Sequence, residues 1–174
     1  NEKIGLMFID LDNFKTVNDT LGHPIGDLLL CEVARRITSA VRKSDIVARI
    51  GGDEFVVVLE SAHLPGDAGM VAQKILERMS EVVPVDGNDL HTTPSIGIAI
   101  YPDDGAISED LMRNADVAMY HAKSAGRNNY QFYAEHMNQA AAVRVQMEGR
   151  LRAAMAADEF SLHFQPQINL LNAQ

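Results

Sequence analysis

Three groups of residues in this sequence have the types and spacing to do chemistry. Asp10 and Asp12 stand in Phe8-Ile9-Asp10-Leu11-Asp12-Asn13-Phe14-Lys15, at the end of the apolar run Ile4–Ile9. A carboxylate at the end of a buried strand is held rigidly at a sheet edge, and Mg²⁺ favours hard oxygen ligands in near-octahedral geometry. The Asp10 carboxylate and the Leu11 carbonyl offer two such oxygens; the alternative is that both aspartates cap the following turn. Gly51-Gly52-Asp53-Glu54 lies between two short apolar runs. Its glycines admit positive φ and let a backbone approach a ligand closely. Its two acids concentrate negative charge that a cation would relieve, whereas a plain hairpin is served by Asn-Gly or Asp-Gly with no second acid. If that hairpin lies beside the first strand, Asp53 and Asp10 can share metal ions, the two-metal arrangement for in-line phosphoryl chemistry. Lys123 and Arg127 are the third group. Each alone suits a helix C-terminus, where cations are favoured; together they could hold the terminal phosphates of a nucleotide.

The elements that must position these groups follow from hydrophobic periodicity. Ile4–Ile9 is long enough, and apolar enough, for a strand buried on both faces. Phe14–Leu21 reads as a short helix, Gly22-His23-Pro24 as a break, and Asp27–Val41 as a helix with Leu30, Val33, Ala34, Ile37 and Val41 on one face. Ile46–Ile50 and Phe55–Leu59 read as the strands of a hairpin. Ala68–Val83 is helical, Asp86-Gly87-Asn88 a turn, and Ser95–Tyr101 a strand that Pro94 marks as a start or an edge. Ser108 is placed to cap a helix that ends near Gly126. A short strand over Asn129–Tyr133, a long helix over Glu135–Ala157 and a final strand over Phe160–Gln165 complete the chain. The order predicts an α+β fold: a mixed, mostly antiparallel sheet with helices packed on it, a palm related to the ferredoxin-like layout.

Bulk composition narrows the function. The 174 residues suit one domain with an appended piece, and 47% hydrophobic content fills a core. The formal charge of −9 argues against long nucleic acids or anionic membranes as partners. A metal-neutralised nucleotide stays compatible with it. The single cysteine, Cys31, rules out an internal disulfide and fits a reducing, cytoplasmic compartment. No apolar stretch is long enough to span a bilayer. The six histidines show no zinc spacing.

Taken in order, these motifs resemble the GGDEF family, the diguanylate cyclases. Arg49-Ile50-Gly51-Gly52-Asp53-Glu54-Phe55 carries the signature, and Asp10-Leu11-Asp12-Asn13-Phe14-Lys15, Asn18-Asp19, Gly22-His23, Gly26-Asp27, Ser95-Ile96-Gly97 and Ala118-Met119-Tyr120-His121-Ala122-Lys123 stand around it as expected. The resemblance implies a bacterial second-messenger enzyme that joins two GTP molecules into cyclic di-GMP and releases two pyrophosphates. It implies two Mg²⁺ (or Mn²⁺) ions per site held by Asp10, the Leu11 carbonyl and Asp53, with Glu54 helping to activate the attacking 3′-hydroxyl. Asn18 and Asp27 would read guanine; a carboxylate accepts from the N–H pair that guanine has and adenine lacks. Phe14, Lys15, Lys123 and Arg127 would contact phosphates, and Gly51 and Gly52 would let the turn approach the substrate. One GTP per domain means that catalysis requires a second GGDEF domain face to face, most simply as a two-fold homodimer. Arg42-Lys43-Ser44-Asp45, five residues before Gly51, matches the family's product-inhibition site; Arg42 and Asp45 also simply close a helix.

The resemblance covers about residues 4–133, and the chain begins too late to hold the helix and wide turn that usually precede the first strand. From Leu151-Arg152 to Phe160-Ser161-Leu162-His163-Phe164-Gln165-Pro166-Gln167 the sequence resembles the opening of an EAL domain, the cyclic di-GMP phosphodiesterases. The expected layout is a GGDEF domain over 1–134, a connecting helix over 135–158 and the start of an EAL domain over 159–174, cut from a tandem parent. Two rivals to the enzyme stand beside it. One is a catalytically silent GTP-binding module that regulates an adjacent phosphodiesterase; the other is a cyclic di-GMP receptor working through Arg42 and Asp45.

Overall fold

The computed structural model describes residues 3–60 and 65–163. The chain divides into two compact units, Asn1–Asn138 and Gln139–Gln174. In the first, the elements run β1 (Ile4–Leu11), α1 (Phe14–Leu21), α2 (His23–Ala40), β2 (Ile46–Gly51), β3 (Glu54–Leu59), α3 (Pro65–Ser80), β4 (Val83–Val85), β5 (Asn88–Leu90), β6 (Pro94–Tyr101), α4 (Ser108–Ser124) and β7 (Tyr130–Phe132). Helix α5 (His136–Ala156) runs from the first unit into the second.

A five-stranded sheet in the order β2-β3-β1-β6-β7 forms the centre, antiparallel except for the parallel β6–β7 pair. The units β1-α2-β2 and β3-α3-β6 give the ferredoxin-like layout, and α4 makes the crossover between parallel β6 and β7. The mixed α+β architecture expected from the sequence is therefore the one observed.

Strand alternation sorts the side chains into two layers. Met7, Ile9 and Leu11 of β1 join Phe55, Val57 and Leu59 of β3 on the face covered by α2 and α3. Leu6, Phe8 and Val56 point the other way, against Leu111, Ala115 and Met119 of α4. Residues Gly5–Leu11 are all buried because β1 is central in the sheet and covered on both faces, as its unbroken apolar run predicts.

Several boundaries depart from the sequence reading. Helix α2 begins at His23, and Pro24 lies within its first turn, where a missing N–H costs nothing. Gly22, at φ 85°, is by itself the break between α1 and α2. Helix α3 stops at Ser80 instead of Val83, and residues to either side of Asp86-Gly87 pair as the small hairpin β4–β5. Ser108 does not cap α4: Ile107 takes the N-cap position, and Ser108 Oγ instead donates to Glu109 Oε2 at 2.9 Å. Pro94 starts β6, an interior strand, so it marks a start and not an edge. The final strand expected over Phe160–Gln165 is absent over Phe160–His163. A strand needs a neighbour to pair with, and Phe160 and Leu162 are 58% and 87% exposed. Phe164 and Gln165 lie outside the described residues.

The end of α3 depends on a residue that the periodicity did not single out. Arg36 of α2 is buried and donates to the carbonyls of Arg78, Glu81 and Val82 at 2.9, 2.7 and 2.8 Å. It thus caps carbonyls that the helix leaves unpaired. Its Nε also bonds Glu32 at 3.0 Å. Hydrogen bonds from Arg35 and then Arg36 hold the Glu32 carboxyl down at about 2, from an ordinary 4.5. A lowered folded-state pKa contributes stability that is present above the unfolded value and lost as pH falls through the folded one. Glu32→Gln is therefore expected to be less stable than wild type at pH 7, by under about 1 kcal/mol given solvent screening. That gap should close between pH 4.5 and about 2, as read by urea denaturation at a series of pH values.

Candidate functional site

The site lies at the end of β1 where β3 begins. The register pairs Asp10 with Glu54 directly across the β1–β3 ladder, and the Leu11 N–H donates to the Asp53 carbonyl at 3.3 Å. Directly paired residues share a sheet face. Asp10 continues the row Leu6-Phe8, so Asp10 and Glu54 both face the α4 side. The hairpin thus does lie beside the first strand, the condition on which the shared acidic site depended. Gly52 sits at φ 52°, a conformation that favours glycine, and nothing lies within 4 Å of a Cβ built at Gly51 or Gly52. Arg49 Nε donates to the Gly52 carbonyl at 2.9 Å and braces the turn from its own strand.

Like charges facing each other across a ladder are unfavourable. The Asp10 carboxyl shows the effect. Burial raises its pKa, Lys123 lowers it by hydrogen bond and charge, and Asp53 and Glu54 raise it again; the net displacement is upward. Lys123 reaches over from α4 and places Nζ 2.7 Å from Asp10 Oδ1.

Asp12 has a different environment. Its carboxylate accepts from Thr93 Oγ1 at 2.7 Å, Ser95 Oγ at 2.8 Å and the Asn128 N–H at 3.2 Å, and Arg127 Nε lies 3.9 Å away. A buried acid with this many donors is a structural tie between three segments. The choice between ligand and cap that the sequence left open thus divides: Asp10 faces the acidic hairpin, and Asp12 is consumed by the fold.

The other sequence candidates fall into two further places. Phe14, Asn18, Gly26 and Asp27 meet at the corner between α1 and α2. A Cβ at Gly26 would overlap Asn18 Oδ1 and come within 3.2 Å of the Phe14 ring, so a larger residue there must displace the Asn18 side chain. Asn18 Oδ1 is buried, and among the described residues no group donates a hydrogen bond to it. Asp27 is exposed beside it and lines a cavity of about 490 Å³ with Leu30, Ala34, Arg49 and Phe55. Lys15 is exposed on α1. Arg42 and Asp45 lie apart, in the connection between the C-terminal end of α2 and β2. There the Arg42 N–H donates to Asp45 Oδ2 at 2.7 Å, the Asp45 N–H donates to the Arg42 carbonyl at 3.1 Å, and both residues line a cavity of about 250 Å³.

Among the described residues, no three His, Cys, Asp or Glu side chains gather as a metal cage. Mg²⁺ is ordinarily held by one or two carboxylates together with water and substrate phosphates. The Asp10, Asp53 and Glu54 oxygens fit that mode, and the mutual repulsion felt at Asp10 favours a cation there.

Known proteins resemble this chain in sequence and fold. The family model described as "Diguanylate cyclase, GGDEF domain" matches residues 1–129. The bifunctional diguanylate cyclase/cyclic di-GMP phosphodiesterase MucR of Pseudomonas aeruginosa is 46% identical over 97% of this chain, and the cyclic di-GMP phosphodiesterase NbdA of the same organism is 41% identical over 98%. The match takes in 24% and 22% of those two relatives, so the chain spans about a quarter of their length. The crystal structure of the GGDEF domain of TpbB (YfiN), also from P. aeruginosa, superposes with a TM-score of 0.75 at 40% identity, covering 76% of this chain and 83% of that one. With the acidic hairpin seated against β1 and a domain model matched along most of its length, the chain belongs to the GGDEF family of diguanylate cyclase domains.

Proposed function

We propose that this domain binds GTP with Mg²⁺ or Mn²⁺ and, paired face to face with a second GGDEF domain, condenses two GTP into cyclic di-GMP. The observation that carries the reading is the Asp10–Glu54 cross-strand pair, with Asp53 at its lip and Lys123 on Asp10. Asp10, Asp53 and the Leu11 carbonyl would hold two divalent ions, which supply charge neutralisation at the transferred phosphoryl group. Asn18 and Asp27 orient guanine in the α1–α2 corner. Phe14, Lys15, Lys123 and Arg127 fix the phosphates, and the open Gly51-Gly52 turn admits the substrate backbone. Glu54 takes the proton as the 3′-oxygen of one GTP bonds to the α-phosphorus of the other and the bond to pyrophosphate breaks. The second half-reaction repeats this with the roles exchanged.

Arg42 and Asp45, beside their cavity, are the proposed product-inhibition site. Residues 1–134 form the cyclase domain of this reading, 135–158 the connector and 159–174 the opening of an EAL domain, in a cytoplasmic setting where GTP is available. Among the described residues no helix is long and apolar enough to cross a membrane.

Purified full chain incubated with GTP and Mg²⁺ should yield cyclic di-GMP and two pyrophosphates per product. GTP binding with no product would favour the second reading, a regulatory module. The phosphodiesterase name of NbdA, matched over nearly this whole chain, is what supports that reading. Cyclic di-GMP binding without GTP binding, lost in Arg42→Ala, would select a receptor.

The guanine corner has its own test. Gly26→Ala forces the Asn18 amide out of place, and is expected to weaken GTP binding about tenfold, or about 1.4 kcal/mol. The fold should survive, because the obstructed atom ends a flexible side chain and alanine is the better helix former by about 1 kcal/mol. Calorimetric titration against thermal melting separates the two effects.

A further inference from the structure

The structure assigns Asp12 as a positioning residue: it ties the Arg127–Asn128 turn to the end of β1, so that Arg127 is held in place to grip the polyphosphate of the nucleotide. This rests on the GTP reading above and adds a residue to it.

The Asp12 side chain is 2% exposed, and every donor it meets comes from elsewhere in the chain. Thr93 and Ser95 approach from the start of β6, and the Asn128 N–H and Arg127 from the turn after α4. The Asp12 N–H donates to the Thr93 carbonyl at 2.7 Å, which fixes the backbone as well. The turn it holds is an unfavourable one. Gly126, Arg127 and Asn128 have φ of 113°, 60° and 49°, three successive residues in the positive-φ region. For residues with a Cβ such conformations persist only where the surroundings over-determine them. Bonds from Asn129 Nδ2 to the Ala122 and Arg127 carbonyls hold the turn to α4; Asp12 holds it to the sheet. Arg127 remains 55% exposed, with its Nε 3.9 Å from the buried anion. Asp12, just past the end of β1, therefore fixes the turn that carries the exposed cation.

The inference separates the phosphate end of the ligand from its base. GTP and GMP share guanine and differ in the phosphates that Arg127 would reach. With Mg²⁺ present, wild type should prefer GTP over GMP. Asp12→Asn is expected to lower GTP affinity about tenfold, the scale of one charge-assisted contact, while GMP affinity stays within about twofold. Adding Arg127→Ala to Asp12→Asn should weaken GTP little beyond Arg127→Ala alone, since coupled residues are not additive. The milder pair Thr93→Val with Ser95→Ala loosens the anchor and keeps Asp12, and should lower the GTP/GMP ratio about threefold. An unchanged ratio in that pair overturns the assignment, as does a parallel loss of GTP and GMP binding in Asp12→Asn. Wild type that binds neither nucleotide overturns the GTP reading, and the assignment with it; wild type that prefers GTP, with variants that keep the preference, overturns the assignment alone.

Discussion

Asp53→Ala should reduce cyclic di-GMP formation by two to three orders of magnitude or more, about the loss seen when a preorganised electrostatic group is removed from a phosphoryl or acyl transfer site. The turn should survive the change, because its link to β1 runs through the Asp53 carbonyl, which accepts from the Leu11 N–H, and through Arg49 on the Gly52 carbonyl. Stability should hold or rise slightly. Asp53 is one of the charges that push the Asp10 carboxyl upward, and its removal relieves that repulsion. Turnover with GTP and Mg²⁺, set beside circular dichroism and thermal melting of the same preparation, checks both halves. A folded Asp53→Ala protein with wild-type turnover would exclude the acidic hairpin from the chemistry.

Gly97→Ala carries the largest expected cost to the fold. Gly97 pairs with Phe8 on the face that α4 covers, and a Cβ there would overlap the Ala115 carbonyl oxygen and the Met119 nitrogen, with the Met119 Cα at 2.8 Å. These are backbone atoms of a helix and cannot swing aside. Overpacking typically costs about 1–3 kcal/mol, and a clash with a rigid partner belongs at the upper end or above. A loss of about 3 kcal/mol would lower the melting midpoint by roughly 10 °C in a domain of this size. Gly51→Ala, with open space around it, should melt close to wild type. Equal midpoints for Gly97→Ala and wild type would contradict the close packing of α4 on β6. The same packing sets the reach of Lys123 to Asp10, so turnover should fall along with stability.

Local patterns in the sequence anticipated what depends on local physics. The unbroken apolar run of β1 announced a central strand, helical spacing marked the inward face of α2, and Gly-Gly-Asp-Glu between two strands announced a hairpin. The elements missed depend on partners distant in the chain. Arg36 sets the end of α3 from the neighbouring helix, leaving Val83 free to enter β4. Pro24 looked like a breaker because only the observed start of α2 shows that its N–H was never needed. The strand expected at Phe160 has apolar residues, but among the described residues nothing pairs with Phe160–His163. Asp12 was the hardest to interpret: its spacing from Asp10 is that of a second ligand, and the hydroxyls that claim it lie more than eighty residues further on. Thr93 and Ser95 were the available signal, small hydroxyl residues flanking Pro94, but nothing in their spacing points to an aspartate on another strand.

Lys123 approaches the acidic pair from α4, while the Asn18–Asp27 corner belongs to α1 and α2, in the opposite layer. On the proposed reading the base is read on the α1–α2 side alone, whereas the triphosphate is met from both layers, by Phe14 and Lys15 on one and by Lys123 and Arg127 on the other. Substitutions at Asn18 and Asp27 would retune base preference while the reactive end keeps its geometry. A domain built this way can lose its chemistry and still sense its nucleotide, a route by which an enzyme becomes a receptor without refolding.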